Sequence, residues 1–252
     1  MLKYWVWLGL LDRNLNEKCD ILEEYGNPEK AYRAMSGDDT DALTVIEFCG
    51  NAGIGIVTPD DDAYPEKLKR IYAPPAALYT LGKMPDFNGR KSLAFFGTAC
   101  ADEKLISLGS RISAESAEAG NIAVSPLKSV FDIKAAETSA VSGADTVCVL
   151  DRAFVKKKKG ILSDAVLVSE ICPLGSEPPK GNRDSFRIIS ALCDTAVLSA
   201  ASSRSTARLF AAEALEQGRD VCIMNASSDN AARLIQQGAF SASDYSTIAS
   251  RF

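Results

Sequence analysis

Lys91-Ser92-Leu93-Ala94-Phe95-Phe96-Gly97-Thr98 is where the chain changes character. Its apolar core is too short for a helix and is stopped by glycine, so it reads as a strand buried on both faces. Comparable runs recur at residues 122–124, 146–150, 165–168, 195–198 and 221–224. Segments of helical period lie between most of them, at 105–119, 133–141, 186–193 and 207–217. Doubly buried strands alternating with helices predict an α/β fold, a Rossmann-like, doubly wound, mostly parallel sheet with right-handed crossovers. Such sheets bind ligands outside the carboxyl ends of their strands. Those ends are Gly97-Thr98-Ala99, Ser125-Pro126, Asp151-Arg152, Ser169-Glu170, Ser199-Ala200 and Asn225-Ala226.

Upstream the period is helical. Met1–Leu8 reads as a short packed helix rather than a leader, because no basic start or cleavage site accompanies it. Asn14 caps a helix that Gly26 stops, Pro28 opens a second, and a third runs from about Asp41 to the Gly50–Gly53 region. None is long enough to be stable alone, so they are expected to pack as a small bundle. Residues 54–58 read as a short strand, and Pro74-Pro75 forces an extended turn into Ala77-Leu78-Tyr79-Thr80. Pro59, Pro65, Pro74, Pro75 and Pro85 crowd the segment before Lys91. The division expected is a helical domain at 1–60, a linker leading into the core at 61–91, and the Rossmann-like core at 92–252.

Composition removes several classes of function. The 252 residues contain no histidine, which excludes Ser-His-Asp and Cys-His nucleophiles and histidine metal sites. No catalytic constellation and no cofactor are expected. The seven cysteines are scattered without a C-x-x-C pair, as core residues of a reducing, cytoplasmic compartment would be. No apolar run is long enough to span a membrane. The net charge of −5 means that any nucleic acid must be held by a local cationic patch against the overall field.

The strand-end residues and their spacing resemble the DNA-processing protein A (DprA/Smf) family. Tyr64-Pro65, Leu68, Ile71, Pro74-Pro75, Leu78-Tyr79 and Gly82 match Y-P-x-x-L-x-x-I-x-x-P-P-x-x-L-Y-x-x-G. Gly97-Thr98 matches the start of G-[ST]-R. Ser125, Leu127 and Asp132 match S-G-L-A-x-G-I-D, and Ser169-Glu170 with Pro173 and Gly175 matches S-E-x-x-P-x-G. Arg187-Ile188-Ile189-Ser190 matches the end of R-N-R-I-I-S, and Leu234-Ile235 with Gly238-Ala239 matches L-I-x-x-G-A. The departures are Ala99 for the G-[ST]-R arginine, Pro126, Ser129 and Val130 within the second motif, Ala136 for a histidine, Ser185-Phe186 before Arg187, Ser199 for an acidic residue and Thr206 for the glycine of S-G-S. The resemblance implies a SAM- or helix-hairpin-helix-like domain ahead of a Rossmann-like core. It also implies single-stranded DNA binding in DNA processing and natural transformation, help in loading a RecA-type recombinase, and a homodimer.

Carried onto this chain, the resemblance and the strand-end rule give Gly97, Thr98, Ser125, Lys128, Arg183, Arg187, Ser190 and Arg204 as candidate DNA- or phosphate-binding residues. Glycine lets a backbone approach a phosphate, and arginine clamps one with two prongs. Lys128 is placed to replace the charge lost at Ala99. Arg183 shares a face with Arg187 if that stretch is helical. For Lys128 and Arg183 a surface charge or an internal ion pair stands as the equal alternative. Arg187, which keeps its motif position, is read as functional. Lys156-Lys157-Lys158-Lys159 reads as a solvated charge run, and Phe131, Phe154 and Phe186 as core aromatics rather than base-stacking platforms. Two other readings stay open. One is a protein-interaction module that has lost DNA binding, favoured by the changes at Ala99, Pro126 and Ser185. The other is a phosphoribohydrolase-like nucleotide enzyme, whose P-G-G-x-G-T-x-x-E signature does not occur.

Overall fold

The computed structural model describes residues 1–98, 101–154, 161–175, 183–200, 206–225 and 227–252. Four helices come first: α1 (Leu2–Leu10), α2 (Leu15–Tyr25), α3 (Pro28–Ala34) and α4 (Thr40–Ala52). Then follow β1 (Gly55–Val57), α5 (Glu66–Lys69), β2 (Leu78–Leu81) and β3 (Ser92–Phe96). The chain continues with α6 (Glu103–Glu118), β4 (Ile122–Ser125), α7 (Val130–Val141), β5 (Thr146–Val149) and β6 (Val166–Ser169). It closes with α8 (Ser185–Leu192), β7 (Thr195–Ala200), α9 (Thr206–Glu216), β8 (Asp220–Asn225), α10 (Asp229–Gln236) and α11 (Tyr245–Ala249).

The eight strands among the described residues form one sheet in the order β1-β2-β6-β5-β4-β3-β7-β8. From β6 to β8 every pairing is parallel, and β3 lies between β4 and β7. The direction of winding therefore reverses beside β3, which makes the gap between the β3 and β7 carboxyl ends the topological switch point. The doubly wound, mostly parallel sheet is the one the sequence predicts.

Two antiparallel strands extend it. β2 pairs with β6 (Tyr79 opposite Ser169) and β1 with β2 (Ile56 opposite Tyr79). The expected boundary near residue 60 thus falls between two strands of the same sheet, and residues 61–91 supply β2 as well as α5. At the other margin Phe240 bridges to β8. Its amide donates to Val221 O at 2.8 Å, and its carbonyl accepts from Ile223 N at 2.8 Å.

The strands are buried on both sides because each face carries its own apolar cluster. Ala94, Phe96, Val124, Val147 and Val168 pack under α8, α9 and α10 through Ile188, Phe210 and Leu234. On the opposite face Leu93, Phe95 and Val197 meet Ile112, Phe131 and Ile248 of α6, α7 and α11. The rest of that face, with Tyr79, Cys148 and Leu167, is covered by Val6, Ala31 and Val45 of the first helices. The short amino-terminal helices thus gain stability by burying their apolar stripes on the sheet.

Local signals set the helix ends. Asn14 and Glu17 form a reciprocal capping box on α2, which stops at Gly26 with φ of 79°. Of the described cysteines, Cys193 and Cys222 have thiol pKa values pushed up to about 12 by burial, as inert core residues should. No helix among the described residues is long and apolar enough to cross a membrane.

Candidate nucleic-acid interface

The β4–α7 turn is organised around one carboxylate. Ser129 and Asp132 form a capping box on α7. Asp132 also accepts from the backbone amides of Lys128 (3.0 Å), Ser129 (2.8 Å) and Gly97. Three amides that converge in this way make an anion nest of the kind that cradles phosphate. Here the side chain of Asp132 fills it and ties the end of β3 to the start of α7. Gly97 is needed for this close approach: a Cβ there would stand 2.6 Å from Phe131 Cβ and 2.8 Å from Asp132 Oδ1. Ser125 serves the same turn. Its hydroxyl donates to Asp132 O at 3.1 Å and accepts from Leu127 N at 3.2 Å. Leu127 sits at φ of 51°, a left-handed conformation costing a side-chain-bearing residue about 1–2 kcal/mol. Thr98 follows at the switch point, half-buried, its amide donating to Ser199 Oγ at 3.1 Å.

Lys128 leaves this turn toward the strand ends. Its ammonium pairs with Asp151 Oδ2 at 2.8 Å and lies 5.1 Å from the centre of the Phe186 ring. Phe186 belongs to a buried trio with Phe96 and Phe210, whose ring centres lie 4.5–5.8 Å apart. Phe131 is also core, and Phe154 packs at the edge of the cluster under the first helices. The aromatics are therefore packing residues, as the sequence predicts.

Arg187 is placed inside the protein. Its Nη1 and Nη2 donate to the two Glu170 carboxylate oxygens at 2.8 and 2.6 Å. Nη1 also donates to Asp184 O at 2.7 Å, and Nε to Ala73 O at 2.9 Å. Four of the five N–H donors of a guanidinium are spent this way. Burial works against its charge, but the Glu170 carboxylate outweighs it and holds the pKa above the ordinary arginine range. Ala73 takes the left-handed region as well, at φ of 54°. The internal ion pair, not an open phosphate clamp, is thus the environment of Arg187.

The remaining candidates are dispersed. Arg183 precedes α8, whose amino-terminal cap is Asp184, so it does not share a helical face with Arg187. It is exposed and makes no ion pair among the described residues. Ser190 is fully buried toward the other end of α8, its hydroxyl without a partner among the described residues. It is not brought to the carboxyl edge. Arg204 and the Lys156–Lys159 run lie outside the described residues. Sequence reasoning passed over Arg152, which is exposed after β5 and forms no ion pair among the described residues. Its signal was its place directly after a strand end. It likewise passed over the turn-filling role of Asp132, although the spacing of Ser129 and Asp132 is that of a capping box. Of the apolar residues late in the chain, Leu234 and Phe240 are buried in this protein's own core, whereas Ile235 is 39% exposed.

Comparison with known proteins falls on the same elements. The family model described as DNA recombination-mediator protein A matches residues 55–252, starting at the first residue of β1. The DNA processing protein DprA of Streptococcus pneumoniae is 30% identical over 193 residues, covering 71% of this chain and 67% of that protein. The structure of DNA processing protein A from the same organism superposes with a TM-score of 0.72 at 22% identity, over 96% of this chain and 87% of that one. The Helicobacter pylori protein, studied for its unique single-stranded DNA binding mode, superposes with a TM-score of 0.65 at 17% identity, over 79% of this chain and 96% of that one. With the motif residues in order, the sheet and its switch point in place, and the family model spanning the whole sheet, this chain belongs to the DNA recombination-mediator protein A family.

Proposed function

We propose that this protein binds single-stranded DNA along the carboxyl edge of its sheet, as a non-catalytic, cytoplasmic DNA-processing protein that hands the strand to a RecA-type recombinase and works as a homodimer. The observation that carries the reading is the placement of Lys128, Arg152 and Arg183 in the connections leaving β4, β5 and β6, in a chain of net charge −5. In sequence the same connections also hold Lys156–Lys159 and Lys180. Parallel strands direct the connections of Lys128, Arg152 and Arg183 out of the same edge, where a phosphate backbone is bound in such folds. Family membership supports the same ligand.

A second reading has its own support. The Asp132 carboxylate fills the amide nest and Glu170 neutralises Arg187, so two groups suited to phosphate are already satisfied. That favours a module acting through protein contacts alone. Fluorescence anisotropy of a labelled oligothymidine at several salt concentrations decides between them. Phosphate-driven binding weakens steeply with salt. Absence of any salt-sensitive binding at low ionic strength leaves the protein-interaction reading.

A further inference from the structure

On the flank of the carboxyl edge, away from the switch point, one exposed aromatic and two exposed cations belong to segments that Arg187 joins. Tyr72 is 70% exposed, the most exposed aromatic side chain among the described residues. A tyrosine ring left in water forgoes the burial that large aromatics ordinarily gain. The backbone beside it is held by the buried guanidinium described above. Arg187 Nε bonds Ala73 O at 2.9 Å and Arg187 Nη1 bonds Asp184 O at 2.7 Å. One planar group thus fixes both carbonyls, and the residues preceding them, Tyr72 and Arg183, flank it. Ala73 is kept at φ of 54°, and such local strain persists where the surroundings over-determine a conformation, commonly at ligand sites.

The segments around this turn carry exposed cations. Arg183 and Arg70 are exposed and form no ion pair among the described residues. The neighbouring carboxylates Glu66 and Glu170 are engaged by Lys69 at 2.6 Å and Arg187 at 2.6 Å. Asp184 has a partner of its own. An exposed ring with exposed cations in the adjoining segments is suited to a nucleic-acid single strand, the base on the ring and the phosphates on the cations.

We infer that Tyr72, with Arg70 and Arg183, forms a base-stacking subsite for single-stranded DNA, distinct from the switch-point turn. The inference rests on the proposed DNA-binding function and assigns it a second contact region. The test compares labelled oligothymidine with a deoxyribose-phosphate oligonucleotide of the same length lacking bases. Tyr72→Ala should weaken oligothymidine binding about tenfold and leave the abasic strand unchanged, while Tyr72→Phe should bind as the unmodified protein does. Arg183→Ala should weaken both strands alike and lower the salt dependence by about one phosphate contact. Because Tyr72 lies in solvent, the variants will fold, and circular dichroism checks that they have. If the unmodified protein binds oligothymidine but Tyr72→Ala alters both strands equally or neither, the subsite is refuted and the broader reading stands. If the unmodified protein binds neither strand, both are refuted.

Discussion

The Arg187 guanidinium and the Glu170 carboxylate meet in a two-pronged ion pair that joins α8 to the end of β6, with both side chains largely removed from water. A buried pair of this kind costs most when one partner is deleted, because the other charge remains desolvated. Arg187→Ala should therefore lower stability by about 3–5 kcal/mol. The double change Arg187→Met, Glu170→Leu should cost clearly less. Urea denaturation of the unmodified protein and these two variants gives the comparison. Equal losses for the single and double variants would mean that the pair is not the origin of the effect.

The filled nest makes a second prediction. Asp132→Ala removes the acceptor of the Gly97, Lys128 and Ser129 amides and should cost about 2–4 kcal/mol, since buried donors lose their partner. Gly97→Ala should be destabilising by about 1–3 kcal/mol, because the added Cβ meets Phe131. Thermal unfolding measures both. If Asp132→Ala instead raised phosphate affinity with stability unchanged, the carboxylate would be a removable plug rather than a structural tie.

A third concerns pH. Asp194 accepts from Lys67 Nζ at 2.8 Å and from Ser92 N and Oγ, each at 2.9 Å. Burial opposes its charge, yet the Lys67 ammonium and the Ser92 donors prevail and hold its pKa below the usual carboxylate range. A lowered folded-state pKa gives stability that is complete above the unfolded value, about 3.9, and lost as pH falls through the folded one. The advantage of the unmodified protein over Asp194→Asn should thus be constant near neutrality and shrink below about pH 4. Denaturation at a series of pH values tests the sign; an advantage that grows on acidification contradicts it.

Charge placement gives a fourth. Lys128→Ala and Arg152→Ala should each weaken single-stranded DNA binding across all sequences and flatten its salt dependence by about one contact. For Lys128 the loss includes an ammonium already oriented by Asp151. An Arg187→Ala protein that remains folded should keep the full salt slope, because its guanidinium serves Glu170. A flattened slope in that variant would return Arg187 to the binding surface.

Self-association is the fifth. Ile235 is the exposed large apolar residue of α10, while Leu234 beside it is buried. If α10 forms a two-fold interface, Ile235→Glu should shift light scattering toward monomer without changing the melting temperature of the monomer. A scattering mass unaffected by the change places any interface elsewhere.

The parallel strands were legible because each is an apolar run bounded by glycine, serine or charge, and α2 and α3 because Asn14, Gly26 and Pro28 mark their ends. β2 was not. Its four residues follow Pro74-Pro75 and read as an extended turn, and its partner Ser169 lies ninety residues away from Tyr79 in sequence. Strand pairing at that range leaves no local signature. The site shows the same limit. Motif position singled out Arg187, but only the fold brings Glu170, Ala73 and Asp184 around it and turns an expected phosphate clamp into an internal brace. Lys128 was legible as a charge, its Asp151 partner on the next strand connection was not.

Both lateral margins of the sheet are blunted, at one side by a β1 of only three residues and at the other by Phe240 laid along β8. Long unpaired margins invite another chain to add a strand. A protein that gathers several copies along one DNA molecule would meet that hazard at high local concentration. Among the described residues neither margin offers a long extended backbone row, so a partner of the kind proposed above would have to be recognised by helix faces and loops, where side chains rather than main-chain amides set the specificity. Margins of this kind disfavour edge-to-edge polymerisation.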